Sequence, residues 1–192
     1  IMAIPTSELQ KINPSAIIEL FELQLFTSIH GANTLFRFHS GSNQNNNGEL
    51  IWEGNTYQRF PIEAEGFEFT GKGQIPRPQI TISNVLSTIT TLIADVNSTT
   101  AANDLNGAKL TRIRTTADNI DAANFASGSN PFGTPSSNKF PDEIFFLDRK
   151  IVENRQIVQY ELVSEFDQAN VRIPKRQITR KDFSGVGTFI DA

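Results

Sequence analysis

Hydrophobic and polar residues alternate along much of this chain. The run Ile17-Ile18-Glu19-Leu20-Phe21-Glu22-Leu23-Gln24-Leu25-Phe26 has largely period two, with Glu22 and Gln24 set between Phe21, Leu23 and Leu25. That spacing predicts a strand. Leu35-Phe36-Arg37-Phe38-His39 alternates as well, and the turn-rich link from Ser28 to Asn33 joins the two as a hairpin. Ser40 to Gly48 is a polar loop. Beyond it, Leu50-Ile51-Trp52-Glu53 and Thr56-Tyr57-Gln58-Arg59-Phe60 face each other across Gly54-Asn55, which predicts a second hairpin with a two-residue turn. Pro61 stops that strand. Ile62 to Thr70 alternates again, with Phe67 and Phe69 on one side and Glu68 on the other, and Gly71-Lys72-Gly73 bends the chain.

Pro76-Arg77-Pro78 imposes extended backbone, because a residue before proline avoids the helical region. It leads into a short strand, Gln79 to Ser83. Asn84 is a helix-cap candidate. Val85, Leu86, Ile89, Leu92, Ile93 and Val96 then recur at helical spacing, predicting one helix over Val85 to Val96. Asn97 to Asn106 reads as polar loop. Ala108 to Thr115 alternates with one slip between Leu110 and Ile113, as a strand with a bulge would. Ala126 to Pro141 is a long loop rich in Gly, Ser, Asn and Pro, a length that signals function or disorder. Ile144 to Ile151 and Gln156 to Val163 form a strand pair turned near Glu153-Asn154-Arg155. The expectation is a mainly β, antiparallel, barrel- or sandwich-like module with one central helix and long polar loops. It divides into a lead-in (1–15), a β-rich domain (16–174) and a basic C-terminal arm (175–192).

Composition narrows the chemistry. The chain has 192 residues and no Cys, which removes disulfides, thiolate catalysis and zinc–thiolate sites. Its 17 basic and 21 acidic residues give a net charge of −4, unlike the basic surplus of a nucleic-acid reader. There are 15 Phe against one Trp and two Tyr. Phe has no polar handle, so these rings belong in cores or interfaces. No stretch reaches the ~20 apolar residues of a membrane span, and the N-terminal residues carry no signal-peptide pattern.

The remaining candidates are sparse. Glu63 and Glu65 share a strand face, but a solvated sheet face explains them as well as a catalytic pair does. Asp118, Asp121 and Asn124 suggest a metal loop without the Gly and distal Glu that calcium loops carry. His30 and His39, in or beside a hairpin, are able to meet, yet no third ligand accompanies them. No nucleophile elbow, phosphate loop or dinucleotide fingerprint is present. Trp52, Tyr57 and Tyr160 are the aromatic platforms available to a carbohydrate-binding module. A small cell-wall hydrolase would have to use Glu63, Glu65 or His39.

Several segments, in order, resemble the minor tail protein L family of lambda-like tailed phages. They are Leu50-Ile51-Trp52-Glu53-Gly54-Asn55-Thr56-Tyr57-Gln58-Arg59-Phe60-Pro61-Ile62, Glu65-Gly66-Phe67-Glu68-Phe69-Thr70-Gly71-Lys72-Gly73, and Pro76-Arg77-Pro78-Gln79-Ile80-Thr81-Ile82-Ser83-Asn84-Val85. Leu105-Asn106-Gly107-Ala108-Lys109-Leu110-Thr111-Arg112, Asp121-Ala122-Ala123-Asn124-Phe125, Phe140-Pro141-Asp142-Glu143 and Tyr160-Glu161-Leu162-Val163-Ser164 follow. Together they span about Ile17 to about Arg176.

The resemblance implies a non-enzymatic structural role at the virion tail tip, in a particle assembled in the host cytoplasm. Members of the family are expected to form a ring between the distal tail ring and the central hub or fibre protein. That ring, a trimer first and a hexamer second, would leave a passage for DNA and contact DNA only in transit. The family's C-terminal cysteine cluster suits an iron–sulfur centre; this chain ends at Ala192 without Cys, so no metal or cofactor is expected and no ligand is carried over. Candidate contact residues are Trp52, Gly54, Asn55 and Tyr57 of the hairpin, Pro76, Arg77 and Pro78, the loop Ala126 to Pro141, and Lys175, Arg176, Arg180 and Lys181 of the basic arm. Acidic side chains such as Glu63, Glu65 and Glu68 would suit a lumen through which DNA slides.

Overall fold

Nine strands run through the computed structural model of the chain, which describes residues 6–41, 48–68, 75–85, 88–167, 179–181, 183 and 185. They are β1 (Ile17–Gln24), β2 (Leu35–His39), β3 (Leu50–Trp52), β4 (Asn55–Arg59), β5 (Ile62–Glu65), β6 (Gln79–Ser83), β7 (Lys109–Thr116), β8 (Glu143–Glu153) and β9 (Ile157–Val163). One sheet holds them in the order β3-β4-β2-β1-β7-β8-β9-β6-β5. Every pairing is antiparallel except that of β2 with β4, which run parallel through Phe38↔Gln58 and His39↔Arg59.

The β3–β4 side of this sheet runs straight into its β5 edge through the chain itself. β4 and β5 are consecutive strands separated only by Phe60 and Pro61. Phe60 donates its N–H to His39 O at the end of β2, and Ser83 of β6 donates to Pro61 O, each at 2.9 Å. Proline has no N–H to give to a ladder, and the strand leaves β2 there and joins β6. The sheet therefore curls on itself, but no ladder joins β5 to β2. The expected mainly β module is present; it is an open curled sheet and not a closed barrel.

Two apolar cores result, one on each face. Phe21, Leu23, Phe38, Ile62, Ile80, Ile82, Leu110, Phe145, Tyr160 and Leu162 pack inside the curl. The helix α3 (Thr88–Thr99) closes over them with Ile89, Ile93 and Val96. Leu20, Leu50, Trp52, Tyr57, Ile113 and Ile120 form a second core on the outer face. Two one-turn helices complete the α structure, α1 (Thr6–Leu9) and α2 (Thr27–His30), the latter inside the β1–β2 connection.

Several sequence expectations shift by a residue or more. The slip between Leu110 and Ile113 is no bulge, because β7 pairs with β1 without interruption from Lys109 to Thr116. Residues three apart on a strand face opposite ways, and Leu110 lies in the inner core while Ile113 lies in the outer one. The bulges fall in β8, whose register against β9 shifts between Leu147 and Arg149 and again between Lys150 and Val152. The second hairpin turns at Glu53-Gly54, one residue earlier than expected, since Trp52 pairs with Asn55. Glu53 and Gly54 both take positive φ, 50° and 72°, as the tight turn matching strand twist requires. α3 begins at Thr88, leaving Val85 72% exposed, and runs on through Asn97 to Thr99. The middle of the Ser40–Gly48 loop (42–47), the end of the expected Ile62–Thr70 strand (69–70), Gly71-Lys72-Gly73 and Leu86 lie outside the described residues.

Candidate assembly surface

The long loop after β7 is built from side-chain amides. Asn130 Nδ2 donates to the carbonyls of Ala117, Asp118 and Ile120 at 2.9, 3.1 and 3.0 Å. Its Oδ1 accepts from Phe132 N at 2.8 Å. Ser136 N donates to Asn119 O at 3.1 Å, and Ser136 O accepts from Trp52 Nε1 at 3.3 Å. Gly133 lies so close to Asp118 that a Cβ there would meet its side chain at 2.8 Å. This loop, whose one regular piece is a 3-10 turn at Ala122–Asn124, is thus fixed at several points over the outer core.

The same strategy closes the sheet edge at β3. Asn124, fully buried, accepts from Ile51 N at 2.7 Å and donates to Ile51 O at 2.6 Å. One side-chain amide thereby occupies both edge groups of Ile51, which blunts a strand edge against stray pairing. Asp121 accepts from Glu53 N at 3.2 Å and Gly54 N at 2.8 Å, holding the turn. Asp118 accepts from Thr116 Oγ1. The three residues considered for a metal loop are therefore engaged with backbone and a hydroxyl. Among the described residues, no group of three or more His, Asp or Glu is positioned to hold a metal ion.

At one end of the curl the inner face turns from apolar to charged. Arg112 reaches Glu19 and, at 2.9 Å, Glu143; Arg114 reaches Glu143 at 2.7 Å. The Arg112 guanidinium stands 4.5 Å from the Phe67 ring centroid, and Phe67 meets Phe145 edge-on at 5.3 Å. Alternation along β7 puts Leu110, Arg112 and Arg114 on one face, so the strand runs from core to rim. Arg77 forms a second tie, to Asp167 at 2.7 Å and to Glu161 at 3.3 Å, while Arg149 holds Glu161 at 2.6 Å.

The aromatic platforms are not at the surface. Trp52, Tyr57 and Tyr160 are 2%, 1% and 0% exposed. Tyr57 Oη donates to Glu22 Oε1 at 3.0 Å, the oxygen that also accepts from Arg37 Nε at 3.0 Å. Burial, with the Glu22 carboxylate beside it, raises the Tyr57 pKa well above the usual value. Trp52 and Tyr57 therefore leave the set of exposed contact residues, and the carbohydrate-platform reading loses its platform. Gly54 is exposed and Asn55 half-buried, Pro78 is buried, Pro76 half-buried, and Arg77 is half-exposed but already paired. Arg180 and Lys181 are exposed; Lys175 and Arg176 lie outside the described residues.

The histidines are held apart by backbone. His30 Nδ1 accepts from Phe26 N at 3.0 Å and its Nε2 faces Asn106 O at 3.2 Å, whereas His39 Nε2 faces Gly48 O at 3.1 Å. Glu63 and Glu65 are exposed on β5. The sequence reading missed the organising roles of Asn124 and Asn130 and the Arg112–Glu143 cluster. Only the length of the loop Ala126 to Pro141 and its Gly, Ser, Asn and Pro content marked it as unusual.

In the described residues, polar side chains anchor loops, edges and turns and do not converge on a reacting atom. The model of the phage minor tail protein L family matches residues 27–185. Tail tip protein L of Escherichia phage lambda is 34% identical over 125 residues, covering 65% of this chain and 49% of that protein. The chain belongs to the phage minor tail protein L family. It spans about half the length of that relative. Membership of that family gives it a structural role in the tail of a bacteriophage virion. The hydrolase reading of Glu63, Glu65 and His39 is set aside accordingly.

Proposed function

We propose that copies of this chain form a ring at the tail tip, a trimer in the first instance and a hexamer in the second. The ring extends the tail tube and joins the distal tail ring to the central hub or fibre protein. Its open centre passes DNA during ejection, and the part is assembled in the host cytoplasm before it enters the virion. No metal or cofactor has a place in this reading.

The family match over residues 27–185 carries the proposal, together with the relative named for the tail tip. Supporting it, the loops are fixed by the chain's own side chains, as a subunit presenting a constant shape requires. Ile62 and Ala64 face the inner core while Glu63 and Glu65 alternate with them and stand exposed, and Glu68 is exposed nearby. Acidic side chains on a channel wall repel the phosphate backbone and prevent sticking.

Cryo-electron microscopy of tails tests the reading. The expected result is density for this chain around the axis at the tip, with Glu63, Glu65 and Glu68 toward the lumen. A lumen lined by Lys and Arg gripping DNA would remove the channel part of the proposal.

A further inference from the structure

Phe132 is 54% exposed, although the loop that carries it is firmly fixed. Its backbone N–H is held by Asn130, whose amide binds three carbonyls, and Gly133 beside it is pressed against Asp118. Its ring touches only the edge of the apolar core, through Phe125 at a centroid distance of 6.0 Å. From Ala122 to Asn138 no side chain is charged. A fixed aromatic on a charge-free loop loses little freedom when it docks, and it matches interface cores, which are rich in aromatics and poor in charge.

The same chain carries a complementary hollow. Leu35, Phe36, Phe60, Ile89 and Leu92 line a cavity of about 290 Å³ between β2, β4 and α3. A cavity of ~150 Å³ with such a lining accepts a benzene ring. Its one charged liner, Arg37, is paired with Glu22. Knob and hollow lie on opposite faces of β4: Tyr57 points to the outer core beneath the loop, whereas Thr56 and Gln58 border the hollow. A head-to-tail contact between identical subunits needs two different patches of this kind, placed so that neither blocks the other.

We propose that Phe132 of one copy inserts into the Leu35–Phe36–Phe60–Leu92 hollow of the next, making the repeating contact of the assembly. This rests on the ring reading above and supplies its contact.

The absence of native cysteine makes the test clean. Thr56→Cys is placed at the rim of the hollow and Thr134→Cys beside the knob, both at exposed positions, in separate copies of the full chain. The copies are mixed with a short thiol cross-linker, and mass is followed by light scattering. The expected product is a 56–134 dimer in excess of 56–56 and 134–134 pairs. Phe132→Ala should weaken self-association by about thirtyfold or more, the size of a hot-spot truncation, with the melting temperature unchanged. Oligomers that form without the 56–134 link, or that Phe132→Ala leaves intact, overturn the contact and leave the ring standing. A chain that stays monomeric in solution and in tails overturns both. Rings that form with Phe132→Ala but fail to join the tail assign the knob to another tail protein and overturn the self-contact.

Discussion

His39 illustrates how a buried side chain sets pH behaviour. It is 1% exposed, with Nε2 facing the Gly48 carbonyl and no partner for Nδ1 among the described residues. Protonation would bury a charge and add an N–H with no acceptor. Burial pushes its pKa below the usual 6.5, and the Arg59 charge adds to that against the Gly48 hydrogen bond. The unfolded chain therefore binds a proton first as pH falls. The stabilisation is present above about 6.5 and declines from there toward the lowered folded value. Thermal melts at about pH 7.5 and about pH 5.5 should show the loss in the wild type and a smaller loss in His39→Gln. Equal pH slopes in the two would contradict this account. Trp52 makes a second test at this scale. Because it is buried under the loop, Trp52→Ala should destabilise the chain by about 3–5 kcal/mol, measured by denaturant unfolding. A variant of normal stability would restore Trp52 as a surface residue.

Among the elements, the β3–β4 hairpin carries the sharpest prediction. Gly54 sits at φ 72° with open space where a Cβ would be, so only backbone strain opposes substitution. Gly54→Val should cost about 1–2 kcal/mol, and Asp121→Ala about 1 kcal/mol through loss of two accepted backbone N–H bonds. Both are read from chemical denaturation. A neutral Gly54→Val would mean that the turn relaxes to another form. The hairpins, the Gln79–Ser83 strand and α3 were legible because each stands on local periodicity or turn chemistry. β7 was legible as a strand but not as a two-sided one: a pattern of Leu110 then Ile113 looks like a bulge until a second core exists on the other face. The loop fixed by Asn130 was not legible either, since its bonds reach carbonyls that only the fold brings near.

For the molecule as a whole, the join of the sheet's two ends was beyond the sequence. The parallel pairing of β2 with β4 and the shared Phe60-Pro61 corner are non-local contacts with no periodic trace. Of the candidate contact residues, Gly54 and much of the loop Ala126 to Pro141 are exposed, whereas Trp52 and Tyr57 are core, because aromatic identity alone does not reveal which face a strand residue takes. What the fold does supply is an exposed Phe132, an apolar hollow between β2, β4 and α3 and a charged rim at one end of the curl. The most direct measurement is a reconstruction of intact phage tails. The account predicts copies of this chain at the tip, arranged around an open centre. Tails whose tip contains none of it would contradict the account.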